Sequence, residues 1–574
     1  MSYPDPPQQP QWQPQQPGQP GQGYPAPYGG APGQQQPAYP QHGAPAGGMP
    51  GGGMPGGPPG GPPYGGQYAG GQMPPSGGGR RNRWLIPTAA GVAVVVMAGT
   101  VWATVSLVDF GGPQPETVLP GNSIAFGKLD LSIDGSQAID LLRFVDQLPQ
   151  EMLDEMGEPD GDTSTMMAEG FVEAFPEANQ SDVEEWIGQG VGGSVWPTTD
   201  EEASEGQGVS GAIALSVTDE ALAEEELGAL ASQRDDLAFE VVDDFALLSF
   251  NEAAIADLNR QIEAHGPLDG NDTFSGDLSD VPGGSVSVGW LDLGGLMEIE
   301  EFAQEVASEL PSETGAVSGR ATASVRIDGD FLEARMDVFG FEADQEDLSW
   351  LAQEPGASVT AMGGLSDDTV VALGGAGLDQ AATSAYEDGV PFLSSGEQTE
   401  MERSFNSMGL PIPESFGGLL GTSTAYGFTD VDLGSMFGGP TYYRGFADSS
   451  AADGDVTYEY RAVGGDEQVL SDFVAEIAGP YSDPLPDVRT DGDAVVVANG
   501  TTGTGRLADD EVFQQTMQEL DDAVLAGYVD LRQVMPAGEV AAPEEWGAVG
   551  VALSVTDDGE RASFELRWAP SGGE

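Results

Sequence analysis

The residues best placed to do chemistry in this 574-residue chain are aspartates that recur after apolar runs. An apolar stretch ends in Asp-Leu at Asp130, Asp292, Asp432 and Asp530. An Asp at the end of a strand can cap the next helix by accepting its unpaired N–H groups, which is the first interpretation. The second interpretation places these carboxylates along a shared cleft, where pairs bind a cation or act as acid and base, as in glycoside hydrolysis.

Other catalytic side chains are scarce. The chain has no cysteine, two histidines and one lysine, Lys128. Lys128 has no serine three residues earlier and is followed by Leu129, so neither a Ser-x-x-Lys nucleophile nor a P-loop fits. His265 follows a helical stretch and precedes Gly-Pro, which predicts a structural role at a helix end. The sequence therefore predicts no catalytic residue.

Two motifs have the letters of ligand sites without their context. The glycines of 188–193 match a dinucleotide fingerprint but run into Val-Trp-Pro rather than a helix, which predicts a glycine-rich turn. The segments that start at Asp160 and Asp269 begin like EF-hand loops, yet both lack the glycine at the sixth position. No cofactor-binding or regular metal site is predicted, and irregular calcium sites are left open.

The charge of the chain excludes one class of partner. It contains 94 acidic and 18 basic residues, a formal net charge of -76. A nucleic-acid partner requires clustered Lys and Arg, so none is expected. The part after residue 108 holds 93 of the acidic residues and 15 of the basic ones. We expect this part to repel anionic surfaces and to be stabilised by salt.

Residues 1–83 have a composition that cannot build a core. They contain 21 prolines and 23 glycines and no Val, Ile, Leu or Phe. Ordering a backbone costs about 1–2 kcal/mol per residue, and without aliphatic burial nothing offsets that cost. The composition therefore predicts a disordered, Pro/Gly/Gln/Tyr-rich tail with local polyproline II stretches.

The 24 uncharged residues of 85–108 are predicted to form a transmembrane helix, in a segment that we delimit as 84–108. A helix of this length covers about 36 Å, enough for a hydrocarbon core of about 30 Å. Arg80, Arg81 and Arg83 precede it, with Trp84 at its interface. The positive-inside rule then predicts a protein of the cell membrane with a cytoplasmic N-terminus and an extracellular C-terminal part.

Two alternatives concern the same segment. The arginine pair also allows a twin-arginine or cleaved signal peptide, although such an apolar region is shorter and lies nearer the N-terminus. Gly99 and Ala103 form a small-x-x-x-small pair, which allows a homodimer through the span.

The part after residue 108 contains internal matches at a nearly constant offset of 228 to 238 residues. The matched pairs are 120–125 with 355–360, 285–293 with 523–531, and the hairpin patterns 323–338 with 551–566. Two homologous extracytoplasmic repeats, 109–345 and 346–574, are therefore predicted.

Each repeat mixes strand and helix signals. Alternating runs at 212–217 and 246–250 predict strands, and Asp-Gly pairs at Asp328 and Asp558 predict hairpin turns. Asp219 is expected to open a helix to Gln233, and apolar spacing predicts another over 296–310. The mixture predicts an α+β fold in which helices pack on antiparallel sheets.

Three short motifs carry a resemblance to a known family. They are 118–131 (VLPGNSIAFGKLDL), 137–144 (QAIDLLRF) and 185–188 (EWIG). Together with the Pro-rich tail and single span, they resemble the bacterial domain of unknown function 3352. The resemblance covers about 118–340 and, more faintly, 355–568. It implies a membrane-anchored extracytoplasmic module and offers no catalytic residues.

The sequence as a whole predicts a single-pass binding or scaffolding protein of the bacterial cell envelope. Its ligand or partner protein is not identified by any motif. A carboxylate-dependent hydrolase acting on envelope glycans is one alternative. A carrier for lipid or another hydrophobic ligand is the other. Two close carboxylates with raised pKa in a groove would favour the hydrolase, an apolar cavity the carrier, and an exposed apolar patch partner binding.

Overall fold

The described part of the chain begins after the predicted span. A computed structural model describes residues 114–130, 135–156, 163–299, 302–303, 317–343, 357–388, 395–429, 457–478, 485–500, 502–520, 522–535, 540, 542–556 and 559–572. All of these belong to one unit of the chain. No helix among them is long and apolar enough to cross a membrane. The tail, the segment 84–108 and the predicted anchor residues Arg80, Arg81, Arg83 and Trp84 lie outside the described residues.

Sixteen strands form one antiparallel sheet in this part of the chain. Their bounds are β1 Ala125–Asp130, β2 Ile187–Pro197, β3 Val209–Val217, β4 Ala238–Val242, β5 Phe245–Ser249, β6 Ser285–Asp292, β7 Val317–Asp328, β8 Phe331–Ala343, β9 Val371–Ala376, β10 Ser423–Phe428, β11 Tyr458–Val463, β12 Asp487–Asp491, β13 Ala494–Asn499, β14 Leu525–Asp530, β15 Ala548–Val555 and β16 Arg561–Ala569. The predicted combination of helices with antiparallel strands is confirmed.

The order of the strands is regular about the middle of the sheet. From the centre outward, the first eight strands lie in the order β8-β7-β6-β1-β2-β3-β5-β4, and the last eight in the order β16-β15-β14-β9-β10-β11-β13-β12. Each number in the second series is eight larger than its counterpart. The two series meet where β8 pairs with β16, so one continuous sheet results.

Helices connect and cover the strands. Their bounds are α1 Gly135–Val145, α2 Gln150–Met156, α3 Thr163–Ala174, α4 Gln180–Val183, α5 Glu220–Ala231, α6 Glu252–His265, α7 Asp272–Leu278, α8 Leu293–Met297, α9 Ser358–Gly363, α10 Leu378–Asp388, α11 Ser395–Ser407, α12 Phe416–Leu420, α13 Glu467–Ala478, α14 Glu511–Met517 and α15 Leu531–Val534. Short 3₁₀ turns lie at Pro115–Thr117, Leu268–Gly270, Leu507–Asp509 and Pro543–Glu545.

Local sequence accounts for several of these elements. The predicted hairpins are confirmed as β7 with β8 and β15 with β16, and Gly329 supplies the positive φ of 54° that the first turn needs. Asp219 caps α5 as predicted, since its side chain accepts from the N–H of Ala221 and of Leu222. The predicted start of a helix at 296 is wrong, because Asp292 caps a short helix that already begins at Leu293.

The glycine-rich segment 188–193 was expected to be a turn, and that prediction is wrong. It lies within β2, with a register irregularity between Ile187 and Val191. The local reason is a close approach of β3. A Cβ on Gly188 would stand 2.4 Å from the Oγ of Ser216, and that hydroxyl accepts a hydrogen bond from the N–H of Gly190 at 2.8 Å. The glycines therefore admit a neighbouring strand rather than a dinucleotide.

One of the predicted repeat matches is out of register. Residues 120–124 lead into β1, whereas the matched segment 355–360 runs into helix α9. The isolated β-bridges give a different correspondence. Pro120 bridges to Pro267 before the first strand series, and Ser366 bridges to Arg506 before the second. Both segments combine Ser with apolar residues. A pattern this short fits a helix as well as the residues that precede a strand.

Helices pack on both faces of the outer strands. Residues opposite each other in an antiparallel ladder point to the same side, so the two faces can be followed across the sheet. On one face, α6 and α7 cover a core around Trp196, Phe245 and Trp290, and α9 and α14 cover a core around Met362, Phe513 and Tyr528. On the other face, α3, α4 and α5 enclose Phe171, Trp186 and Leu227, and α10 to α13 enclose Phe405, Phe416 and Phe473.

Candidate functional site

Two of the recurrent aspartates, Asp292 and Asp530, act at helix starts. The Asp292 side chain accepts a hydrogen bond from the N–H of Gly295 at 3.0 Å and caps α8. The Asp530 side chain accepts from the N–H of Arg532 at 3.0 Å and caps α15. Asp530 also accepts from the Arg532 guanidinium at 2.8 Å. These contacts are those that the capping interpretation predicts.

The structure does not bring the aspartates together in a cleft. β6 and β14 are separated by five strand spacings and run in opposite directions, so Asp292 and Asp530 lie at opposite sheet edges, more than about 24 Å apart. Asp130 ends β1, which is antiparallel to its neighbour β6, and is thus at the other edge from Asp292. It shares an edge with Asp530 but lies six strand spacings away, about 29 Å. Asp432 lies outside the described residues. The shared-cleft interpretation is therefore wrong for the positions that the structure describes.

Two further sequence candidates occupy structural positions, and the segment that starts at Asp160 begins outside the described residues. His265 is the exposed last residue of α6 and is followed by Gly266 with φ 76°. In the EF-hand-like segment at 269, Asn271 caps α7 through the N–H groups of Thr273 and Phe274. Among the described residues, no group of three or more acidic or histidine side chains is arranged to hold a metal ion.

A network of charged side chains lies where the two strand series meet. We call this side of β7, β8 and β16 the charged face. Glu333 on β8 stands opposite Arg326 of β7 and Arg567 of β16. It accepts from the Nε of Arg326 at 2.7 Å and from the Nε of Arg567 at 3.0 Å. Its side chain is 1% exposed, so this carboxylate is buried between two guanidinium groups.

The next two ladder positions continue the network. Arg335 pairs with Glu565 across β8 and β16 at 3.1 Å and holds Asp337 at 2.9 Å. Asp337 also binds Arg561 at 3.1 Å and accepts from the hydroxyl of Ser563. Five of the eighteen basic residues of the chain lie on these three strands, namely Arg320, Arg326, Arg335, Arg561 and Arg567. The scarcest charge in the protein is therefore concentrated at this junction.

The pKa values of these carboxyl groups move in opposite directions. Burial alone would raise the pKa of Glu333, but hydrogen bonding and charge from Arg326 and Arg567 outweigh burial and lower it. Burial likewise opposes the lowering of the Asp337 pKa, which hydrogen bonds from Arg335 and Ser563 produce. Burial, assisted by the charge of Glu333, raises the pKa of Glu565. The hydrolase alternative predicts two carboxylates with raised pKa in a groove, and this arginine-locked cluster does not have that form.

The opposite side of the same strands is apolar. Across β9, β14, β15, β16, β8 and β7, every residue on this side is Gly, Ala, Val, Leu, Ile, Met, Phe or Trp among those described. Leu373, Phe564, Met336 and Leu566 are 50, 41, 44 and 37% exposed. With Val551 and Leu553, which are half-buried, we call them the apolar surface. They are four of the seven large exposed apolar side chains in the described part of the chain.

Helices flank the apolar surface. On one side, helices α3, α4 and α5 cover β2 to β5 and carry seven acidic residues and no basic one. On the other side, α10 to α13 cover β10 to β13 and carry nine acidic residues and one arginine. At one end, Phe144 of α1 contacts Trp568 edge to face, with ring centroids 5.9 Å apart. Between the first of these layers and the apolar surface, Leu296 of α8 packs on the same side of β1 and β6. The apolar surface is therefore a floor with α8 and an acidic layer on one side and an acidic layer on the other.

Neither the charged face nor the apolar surface was among the predicted sites. A signal for both was present in the hairpin patterns, where charged and apolar residues alternate along 323–338 and 559–568. Searches of protein-family models, of curated proteins and of solved structures find no match to this chain. The site must therefore be interpreted from its own geometry.

Proposed function

We propose that this chain is an extracytoplasmic binding protein of the cell envelope, and that it binds a hydrophobic partner on the apolar surface. The observation that carries the proposal is the exposure of Leu373, Met336, Phe564 and Leu566 on an uncharged sheet face in a chain of net charge -76. Soluble surfaces rarely leave contiguous apolar patches open, and those that exist usually mark interaction sites. The carrier alternative of the sequence analysis would use this same surface.

The proposal includes two homologous halves that meet at β8 and β16. Their strand orders differ only by a constant eight, which supports a duplication. Equivalent backbone bonds also support it. Leu268 N–H donates to the Leu119 carbonyl at 2.8 Å, and Leu507 N–H donates to the Leu365 carbonyl at 2.8 Å. Asp292 and Asp530 occupy matching cap positions.

The location of the protein is also part of the proposal. The uncharged segment 85–108, with basic residues before it, supports a single span with the N-terminus in the cytoplasm. The disordered tail and membership of the family of unknown function 3352 stand on the sequence alone. In this arrangement the described residues form the extracellular part.

The absence of cysteine permits a direct test of binding. A Leu373→Cys variant of the full chain, in nanodiscs of zwitterionic lipid, carries a bimane label beside the apolar surface. The probe is Nile red, a neutral apolar dye that quenches the label by energy transfer. We expect saturable quenching that falls about tenfold or more in affinity with Phe564→Gln, because losing an interface anchor costs 1–2 kcal/mol or more.

The control label is Ile477→Cys, a side chain that is 41% exposed on α13, the helix that contacts the outermost strands β12 and β13. Dye that merely partitions into the lipid quenches both labels alike and without saturation. Equal, non-saturable quenching at 373 and 477 would contradict the proposal.

A further inference from the structure

The neighbours of the apolar surface restrict what can occupy it. The strands beneath it, from β9 to β7, are each paired on both sides. A partner strand therefore finds no unpaired backbone edge at this position, and β-augmentation is not available. The occupant must be recognised by side-chain contacts with Leu373, Met336, Phe564 and Leu566 alone.

A second copy of the chain does not fit this floor. Helix layers stand on both sides of the apolar surface, on β2 to β5 and on β10 to β13. Each such layer is about 10 Å thick. Two facing copies would bring these acidic layers against each other, where like charges repel. A single element that lies between the layers and does not carry the same negative charge avoids this repulsion.

The charges of the flanking helices select among such occupants. Those helices carry sixteen acidic residues and one arginine. These acidic helices would repel an anionic amphiphile. A molecule with cationic groups beside an apolar stripe would be attracted by the helices and also by the apolar surface. The complementary surface is an apolar stripe bordered by Lys or Arg.

We infer that the occupant is a basic amphipathic helix of a partner protein, an assignment that rests on the proposed function. From Leu373 on β9 to Met336 on β8 there are four strand spacings, or about 19 Å. A helix rises 1.5 Å per residue, so about thirteen residues cover this distance. Apolar residues at i, i+3, i+4 and i+7 contact the floor, and the basic residues beside them face the acidic helices.

The experiment uses three synthetic fourteen-residue probes on the bimane-labelled Leu373→Cys chain. The first has leucines at helical spacing with lysines elsewhere, the second has the same composition in scrambled order, and the third has glutamate in place of lysine. We expect a saturable shift of the label with the first peptide only. Phe564→Gln should weaken its binding about tenfold or more, and added salt should weaken it as well. The Ile477→Cys label should not respond.

Three outcomes would overturn the inference. Equal binding of the scrambled peptide would show that the net charge alone attracts basic chains. Equal binding of the glutamate peptide would show that the acidic helices do not discriminate between basic and acidic peptides. A response to lysophosphatidylcholine without one to the lysine peptide would identify the occupant as a lipid. In that last case, saturable quenching by Nile red would still support the proposed function, so the two failures are distinguishable.

Discussion

On one side of β8 and β16 the side chains of Glu333, Asp337 and Arg567 are 1, 2 and 4% exposed, while on the other side those of Met336 and Phe564 are 44 and 41% exposed. An antiparallel sheet that is open on one side usually exposes its polar residues and buries its apolar ones. Here the arrangement is reversed. Burying charge is costly unless every group is paired, and exposing apolar area forgoes about 25 cal/mol per Å².

The charged face specifies how the two strand series join. In the observed register, Glu333 stands opposite Arg567 and Arg335 opposite Glu565. A shift of two residues in one direction would place Glu333 opposite Glu565. A shift in the other direction would place Arg335 opposite Arg567. Like charges directly opposite each other destabilise a strand pair, so the network favours one register.

The largest change in stability is expected when the Glu333 carboxylate at the centre of the charged face is removed. Glu333→Gln removes the buried carboxylate that Arg326 and Arg567 share and leaves them only Asp328 and Glu565 as ionic partners. We expect the free energy of unfolding to fall by about 3–5 kcal/mol, as for other broken buried ion pairs. Urea unfolding of the full chain measures it.

The matched control is Glu342→Gln, an exposed residue of the same strand. Its effect should stay within about 0.5 kcal/mol. Equal losses for the two variants would mean that the charged face contributes no more than an ordinary surface.

The next largest change in stability is expected for Asp337→Asn, and this change should depend on pH. The pKa of Asp337 is lower in the folded state than its usual value, so its stabilising contribution is complete above that usual value, about 3.9. It is lost as the pH falls through the lower folded pKa. The variant should therefore be less stable than the wild type at pH 6, and the difference should shrink below about pH 4. Urea midpoints from pH 3 to 7 measure it, and a difference independent of pH would contradict it.

Glu565→Gln should show the opposite sign. Burial raises the pKa of Glu565, so the folded state binds this proton more tightly than the unfolded state does. The wild type therefore loses stability from this group as the pH rises from the usual value of about 4.3 through the higher folded pKa. Glutamine resembles the protonated form, and the variant should match the wild type in acid and gain relative to it toward pH 7. A variant that loses stability toward pH 7 would contradict the assignment.

Local sequence was sufficient for the elements of both faces. Alternation and Asp-Gly turns predicted the hairpins of β7 with β8 and β15 with β16, and the Asp292 and Asp530 caps followed from strand-end position. Which side of a hairpin is buried does not follow from alternation. Charge normally marks the solvent side, and here the charged residues find partners about 230 positions away in the chain, such as Glu565 for Arg335.

The failure of the shared-cleft interpretation has a similar cause. The ends of equivalent strands were expected to lie close together. This is true of parallel strands, because their carboxyl ends share an edge of the sheet. The strands that carry Asp130 and Asp292 are antiparallel neighbours. Their ends point to opposite edges, and the local patterns that predicted antiparallel sheets did not show which strands are neighbours.

The smallest expected change in stability is at the apolar surface. Its size tests whether the side chains of this surface are exposed to solvent. Phe564→Ala removes a ring that is 41% exposed, whereas Phe245→Ala removes one that is fully buried in β5. A buried Phe→Ala change costs about 3–5 kcal/mol, and we expect the exposed one to cost about 1 kcal/mol or less. Urea unfolding of the two full-length variants measures the contrast. If Phe564→Ala costs as much as Phe245→Ala, then Phe564 belongs to a closed core in solution. The comparison between the two faces would then be one between two interiors, and no partner could reach the apolar surface.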